Sequence, residues 1–112
     1  MKRNNMDPRD EKLRELVRAV AAEFMQKNSN YTSLITITDV SISDKGQRAT
    51  IFFTVLPDDK EKGALDFAKR MRAEFREFFA GKARMRALPF FDFAIDKGEK
   101  NRQHIDEISR NV

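Results

Sequence analysis

Apolar residues recur at intervals of three and four over the first quarter of the chain, which is the spacing of one helix face. Asp7 and Pro8 stand just before this stripe. An aspartate can cap free helix N–H groups, and proline suits the first helical position. The pattern predicts a helix from about 8 to 27, followed by a polar loop. The stripe consists of Leu13, Leu16, Val17, Val20, Ala21, Phe24 and Met25.

The next segment is rich in β-branched residues and alternates between apolar and polar positions, which is typical of strands. We predict strands over 34–42 and 49–56, and the short connection between them predicts an antiparallel hairpin. The alternation of the first strand slips near Thr38–Asp39, so that Ile37 and Val40 fall in opposite phases. This slip predicts a bulge or a change of the buried face.

A second helical pattern covers about 59–80, but its apolar stripe shifts after Met71. A straight helix of this length would outreach the short strands and could not easily bury both halves of the stripe on one sheet. We therefore predict one bent helix or two helices in tandem, with the bend at Met71, Arg72 and Ala73. The side chain of Ala73 is small enough to allow close approach at the bend.

A third strand is predicted over 90–96, after Pro89, because Phe91 and Phe93 alternate there with less apolar positions. The order of elements is therefore helix, strand, strand, helix, helix, strand. That order predicts an α+β fold in which helices cover one face of a three-stranded sheet.

The chain has 112 residues, 40% hydrophobic and 36% charged, which suits one core under a heavily charged surface. We expect one domain over 7–108, with flexible tails at 1–6 and 109–112. Ile105 and Ile108 could anchor a last helical turn.

Catalytic chemistry finds little support in the composition. Cysteine is absent and His104 is the single histidine, which excludes a disulfide framework and argues against a His-based triad or a multi-His metal site. Phosphate-cradling loops, dinucleotide fingerprints and zinc-ligand spacings are also missing. We therefore expect no enzymatic activity, no cofactor and no metal. The carboxylates of Asp39, Asp44, Asp92 and Asp96 are scattered along strands and turns, so the sequence shows no carboxylate pair for acid–base catalysis.

No apolar run approaches the roughly 20 residues of a membrane helix, so a cytoplasmic protein without a membrane partner is expected.

The positive charge of the chain is concentrated in one segment. Residues 69–86 hold seven basic and two acidic residues, a net charge of +5, whereas the whole chain carries +4. Lys69, Arg72 and Arg76 follow helical spacing, and such a row suits a phosphate backbone. Charge alone leaves an alternative open, namely a solvated helix face with ordinary ion pairs such as Arg70 with Glu74.

Ten phenylalanines raise the question of base stacking, since exposed aromatic rings stack on unpaired bases. Most of them lie on apolar stripes and are predicted to be core residues. Phe52 and Phe90 fall in the off-phase of their strands. One of them could be exposed, although a second buried face explains both equally well.

Two strings of the sequence resemble the ribosome-binding factor A family. Residues 34–56, LITITDVSISDKGQRATIFFTVL, resemble its first hairpin, and residues 76–96, REFFAGKARMRALPFFDFAID, resemble its run from an arginine-bearing helix to an aromatic strand. The resemblance covers about 9–108. It implies a KH-like fold of type II order and binding to the small ribosomal subunit and its ribosomal RNA near the decoding region during late maturation. We also expect a monomer. With this resemblance, the expected RNA-binding residues are Lys69, Arg70, Arg72, Arg76, Lys82, Arg84 and Arg86.

The chain departs from the family pattern at the helical bend, where Met71-Arg72-Ala73 stands in place of an Ala-x-Gly step. The Gly-x-x-Gly loop of KH domains is also missing, as it is in the family, which argues against KH-style clamping of single strands. An alternative function is a protein–protein interaction module that uses the open face of the sheet.

Overall fold

A computed structural model of the protein describes residues 7–28 and 32–98. The first apolar stripe forms helix α1, Pro8–Asn28, and the backbone N–H of Arg9 donates a 2.8 Å hydrogen bond to the Asp7 carboxylate. Five stripe residues from Val17 to Met25 are buried, whereas Leu16 is partly exposed. The two expected tails and the expected turn at Ile105 and Ile108 lie outside the described residues.

The three predicted strands form a single sheet of order β1-β2-β3, namely β1 at Leu34–Ser43, β2 at Arg48–Leu56 and β3 at Phe90–Ile95. The antiparallel hairpin of β1 and β2 is confirmed. β3 runs parallel to β2, with Arg48 beside Phe90 and Phe53 beside Ile95. Parallel neighbours require a long crossover, which the helices between β2 and β3 provide.

The slip in the alternation of β1 is a β-bulge. Ile37 pairs with Phe53 and Asp39 pairs with Phe52, which leaves Thr38 as the extra residue between them. Since one residue is added, the apolar side chains before and after the bulge face the same side of the sheet. The core thus receives Ile37 and Val40 from one strand despite their opposite sequence phases.

The second helical region consists of two helices, α2 at Glu61–Arg70 and α3 at Arg72–Lys82. Met71 lies between them with φ −90° and ψ 6°, outside helical values. Its N–H bonds to the carbonyls of Phe67 and Ala68, and its own carbonyl accepts from the N–H of Phe75. Met71 packs against the core, but Ala73 is exposed. The expectation of close approach at Ala73 is therefore wrong, because the apolar contact of the joint is made by Met71.

The helices cover one face of the sheet, and phenylalanine rings fill the space between the two layers. Phe75 of α3 is fully buried and lies at the centre, with its ring centroid 5.3 Å from that of Phe24 and 4.9 Å from that of Phe91. The edge-to-face angles of 71° and 82° are favourable for aromatic pairs. This cluster fixes α3 against α1 and β3, and so fixes the basic residues that α3 carries.

Candidate nucleic-acid interface

The structure divides the seven predicted RNA-binding residues among different parts of the surface. Four of them lie around the joint of α2 and α3, beside the start of β3, where a groove of about 330 Å³ opens. We call this site the basic groove. Its lining comprises Lys69, Arg70, Arg72, Ala73, Arg76, Phe90 and Phe91. The break at Met71 therefore does not disperse the cations that helical spacing placed on one face.

Asp92 of β3 is the acidic member at the edge of the basic groove. Its Oδ1 atom lies 3.0 Å from Lys69 Nζ and 3.5 Å from Arg72 Nη1, and it accepts a 2.8 Å hydrogen bond from the N–H of Phe93. No local pattern indicated this pairing, because the partners stand twenty or more residues apart. The carboxylate holds the two cations in place and neutralises part of their charge.

The pKa of Asp92 is lowered by this environment. Partial burial acts in the opposite direction and raises it, but the hydrogen bonds from Lys69 and the Phe93 N–H, with the charges of Lys69 and Arg72, outweigh burial. A carboxylate with a lowered pKa in the folded state adds stability above its unfolded pKa of about 3.9. That stability is lost as the pH falls through the folded value.

We expect Asp92→Asn to lower the free energy of unfolding at pH 7 by no more than about 1 kcal/mol, because the ion pairs are partly solvated. The difference between variant and parent should shrink as the pH falls from 5 to 3. Binding to RNA should strengthen, since Lys69 and Arg72 are released for phosphate. Urea titrations across this pH range and an RNA-binding isotherm check both parts. A pH-independent difference would contradict the assigned ion pairs.

Arg76 extends the basic groove along α3. Its Nη1 donates a 3.2 Å hydrogen bond to the carbonyl of Pro89, a buried residue just before β3. This contact directs the guanidinium toward the start of β3, and the residue remains exposed. Arg70 is also exposed, and the described residues show no ion pair between it and Glu74.

Lys82 belongs to a different surface. Its Nζ lies 3.0 Å from Glu23 Oε2, and Lys27 Nζ lies 3.2 Å from the same oxygen. Both ammonium groups also lie 5.3 Å from the centroid of the Phe78 ring. Hydrogen bonds from Lys82 and then Lys27 lower the pKa of Glu23. Lys82 thus helps to join α3 to α1, a role that its position in a basic segment did not indicate.

Arg84 and Arg86 lie in the segment that connects α3 to β3, and both are exposed. Within 7–28 and 32–98, neither has an ion-pair or hydrogen-bond partner. Their charge is therefore available to a partner molecule.

Sequence reasoning missed Arg48 as a member of this surface. The parallel register places Arg48 at the start of β2 beside Phe90, and its guanidinium carbon lies 5.0 Å from the centroid of the Phe90 ring. The Arg72 guanidinium carbon lies 5.4 Å from the same centroid. Phe90 is 48% exposed, whereas Phe52 is mostly buried, so Phe90 is the exposed ring of the two whose strand phases left this question open.

Membrane spans and metal centres are not found in the described part of the chain. No helix there is long and apolar enough to cross a membrane. Over 7–28 and 32–98, no three acidic or histidine side chains come together as metal ligands would.

Comparison with known proteins supplies the family context. The family model described as "Ribosome-binding factor A" matches residues 9–109. Ribosome-binding factor A of Geotalea daltonii is 31% identical over 110 residues, which cover 96% of this chain and 89% of the relative. The protein of the same name from Geotalea uraniireducens is 32% identical over 111 residues, with coverages of 93% and 91%.

Solved structures share the fold. The crystal structure of ribosome-binding factor A from Thermus thermophilus superposes with a TM-score of 0.69 at 24% identity, covering 76% of this chain and 92% of that one. A Thermus thermophilus ribosome-binding factor A model, fitted into the cryo-EM map of a 30S complex, gives a TM-score of 0.62 at 25% identity, with coverages of 70% and 86%. The predicted α+β, KH-like fold class is confirmed.

Proposed function

Because the chain belongs to the ribosome-binding factor A family, we propose that it is a non-enzymatic assembly factor for the small ribosomal subunit. It would bind the free subunit and its ribosomal RNA during late maturation, as a monomer in the cytoplasm. The Thermus relative fitted into the map of a 30S complex supports this choice of partner.

The observation that carries the proposal is the basic groove. Lys69, Arg70, Arg72 and Arg76 converge there from two helices, although each helix alone presents only part of the set. Guanidinium groups form forked hydrogen bonds with phosphate oxygens, and phosphate contacts dominate the affinity of proteins for nucleic acids. Arg84 and Arg86 add two exposed cationic side chains on the connection between α3 and β3.

The proposed mechanism has two stages. Attraction between the basic surface and the RNA backbone brings the factor to the subunit, and complementarity to folded RNA then selects the immature arrangement. We propose that binding holds helices of the decoding region in that arrangement and that the factor is released when they mature. This mechanism requires no covalent step.

Co-sedimentation tests the proposal. The protein is centrifuged with free small subunits, free large subunits or joined ribosomes, each at several salt concentrations. We expect it to sediment with free small subunits and to dissociate as salt rises, by about one log unit of affinity per log of salt for each neutralised phosphate. Equal sedimentation with large subunits, or binding that is insensitive to salt, would contradict it. The salt-insensitive result would instead favour a protein–protein interaction module.

A further inference from the structure

Phe90 stands apart from the other phenylalanines. All ten lie within the described residues, and Phe90 is the only one that is exposed. Its strand neighbours Phe91 and Phe93 face the core and are 4% and 0% exposed. Side chains alternate along a strand, so the Phe90 ring faces away from that core. Phe90 therefore keeps about half of its surface, 48%, open to solvent.

Cationic groups from two other elements surround this ring. Arg48 of β2 and Arg72 of α3 approach its centroid to 5.0 and 5.4 Å. Two positions along β3, Asp92 binds Lys69 and Arg72. A partly exposed aromatic ring and several cationic side chains therefore meet at one corner of the sheet, at the wall of the basic groove.

This combination matches the two chemical parts of a nucleotide. Unpaired bases stack on exposed aromatic side chains and on arginine planes, while the phosphates bind guanidinium groups. Paired bases are already stacked inside their helix and do not need the ring. An acidic peptide would use the cations but would leave the aromatic face without a partner.

We propose that Phe90 and Arg48 form a stacking site for one unpaired base of the bound RNA, and that Arg72 and Arg76 bind the adjacent phosphate. The proposal rests on the RNA-binding function proposed above and adds a preference for an unpaired nucleotide. An exposed cation–π contact is weak, so the entering base displaces the Arg72 guanidinium from the ring, and the released guanidinium binds phosphate.

A tryptophan at position 90 gives a direct readout, because the chain contains no tryptophan. Phe90→Trp is titrated with an unpaired RNA oligonucleotide, with a fully paired hairpin of equal phosphate count, and with an abasic oligonucleotide of equal length. We expect saturable fluorescence quenching by the unpaired RNA and little quenching by the other two, although all three bind electrostatically. Equal quenching by the abasic or paired RNA would overturn the stacking site. So would absence of quenching by an unpaired RNA that binds.

Substitutions of Phe90 test the same site through the change in affinity for RNA. Phe90→Leu keeps apolar bulk without an aromatic face and should weaken binding of the unpaired RNA by about 5- to 150-fold, the usual effect of losing one stacked base. Phe90→Tyr should bind like the parent. Leu56→Ala is the matched control, because Leu56 is 53% exposed but lies at the opposite end of β2. Thermal melts establish that each variant is folded.

The outcomes separate this inference from the proposed function. If Phe90→Leu loses affinity for unpaired RNA and keeps affinity for the hairpin, the stacking site is supported. If Phe90→Leu and the parent bind every RNA equally while the parent sediments with small subunits, the stacking site is wrong and the proposed function stands. Phe90-dependent binding of an acidic peptide with no effect on RNA would assign the site to a protein partner instead.

Discussion

Phe75→Ala is expected to destabilise the domain by about 3–5 kcal/mol, the usual effect of removing a buried aromatic ring. Phe75 is fully buried, and its ring contacts rings from α1 and β3 as well as Phe79 of its own helix. The loss would be a large part of the roughly 5–15 kcal/mol that typically stabilises a domain. Urea denaturation followed by circular dichroism measures it.

Phe90→Ala is the matched control, since it removes the same side chain from a position that is 48% exposed. We expect it to cost less than about 1 kcal/mol, as surface changes usually do. Similar losses for the two variants would contradict the assignment of Phe75 to the centre of the core. Because α3 also carries Arg72 and Arg76, partial loosening around Phe75 should weaken RNA binding as well.

Local sequence patterns were sufficient to predict most of the fold. Helix α1 follows from its apolar stripe and from the capping pair Asp7-Pro8, and the hairpin follows from two alternating segments with a short connection. The bulge at Thr38 was visible as a change of phase, because one added residue reverses the alternation. Each of these features depends on residues close together in the chain.

The tertiary arrangement was harder to predict from the sequence. The parallel pairing of β3 with β2 depends on how the crossover helices pack, and alternation within β3 carries no information on strand direction. The exposure of Ala73 was missed for a similar reason. A small residue near a bend suggests close approach, but whether it faces the core depends on the rotation of α3, which Met71 and Phe75 fix by packing.

The residues of the candidate site likewise divide into those that local sequence patterns revealed and those that depend on the tertiary structure. The basic residues of 69–86 could be found because they cluster in sequence. Arg48 and Asp92 could not, since they join the site only through strand register and through pairs that span twenty or more residues. The separation of Lys82 from the basic groove depends on Glu23, on the first helix. The off-phase position of Phe90 in its strand was the one signal in the sequence that an aromatic ring is exposed at this site.

We expect the triple variant Arg76→Ala, Arg84→Ala, Arg86→Ala to weaken binding to small subunits on the order of 1,000-fold or more, because three charged contacts to phosphate contribute about 1.5 kcal/mol or more each. Stability should change little. Arg84 and Arg86 are exposed and have no partner among the described residues, and Arg76 gives up one hydrogen bond to Pro89. The cost to folding is therefore expected to be about 1 kcal/mol or less.

The salt dependence of binding tests whether these residues contact phosphates. If each arginine neutralises one phosphate, the slope of log affinity against log salt should fall by about two to three. The matched control is Arg9→Ala, Lys12→Ala, Arg18→Ala, which removes the same charge from the exposed side of α1. The control should retain most of the affinity, because its residues lie neither in the basic groove nor on the connection between α3 and β3. Equal losses for the two variants would mean that net charge alone drives binding, whereas a loss confined to the first variant would assign the RNA contact to α3 and the connection before β3.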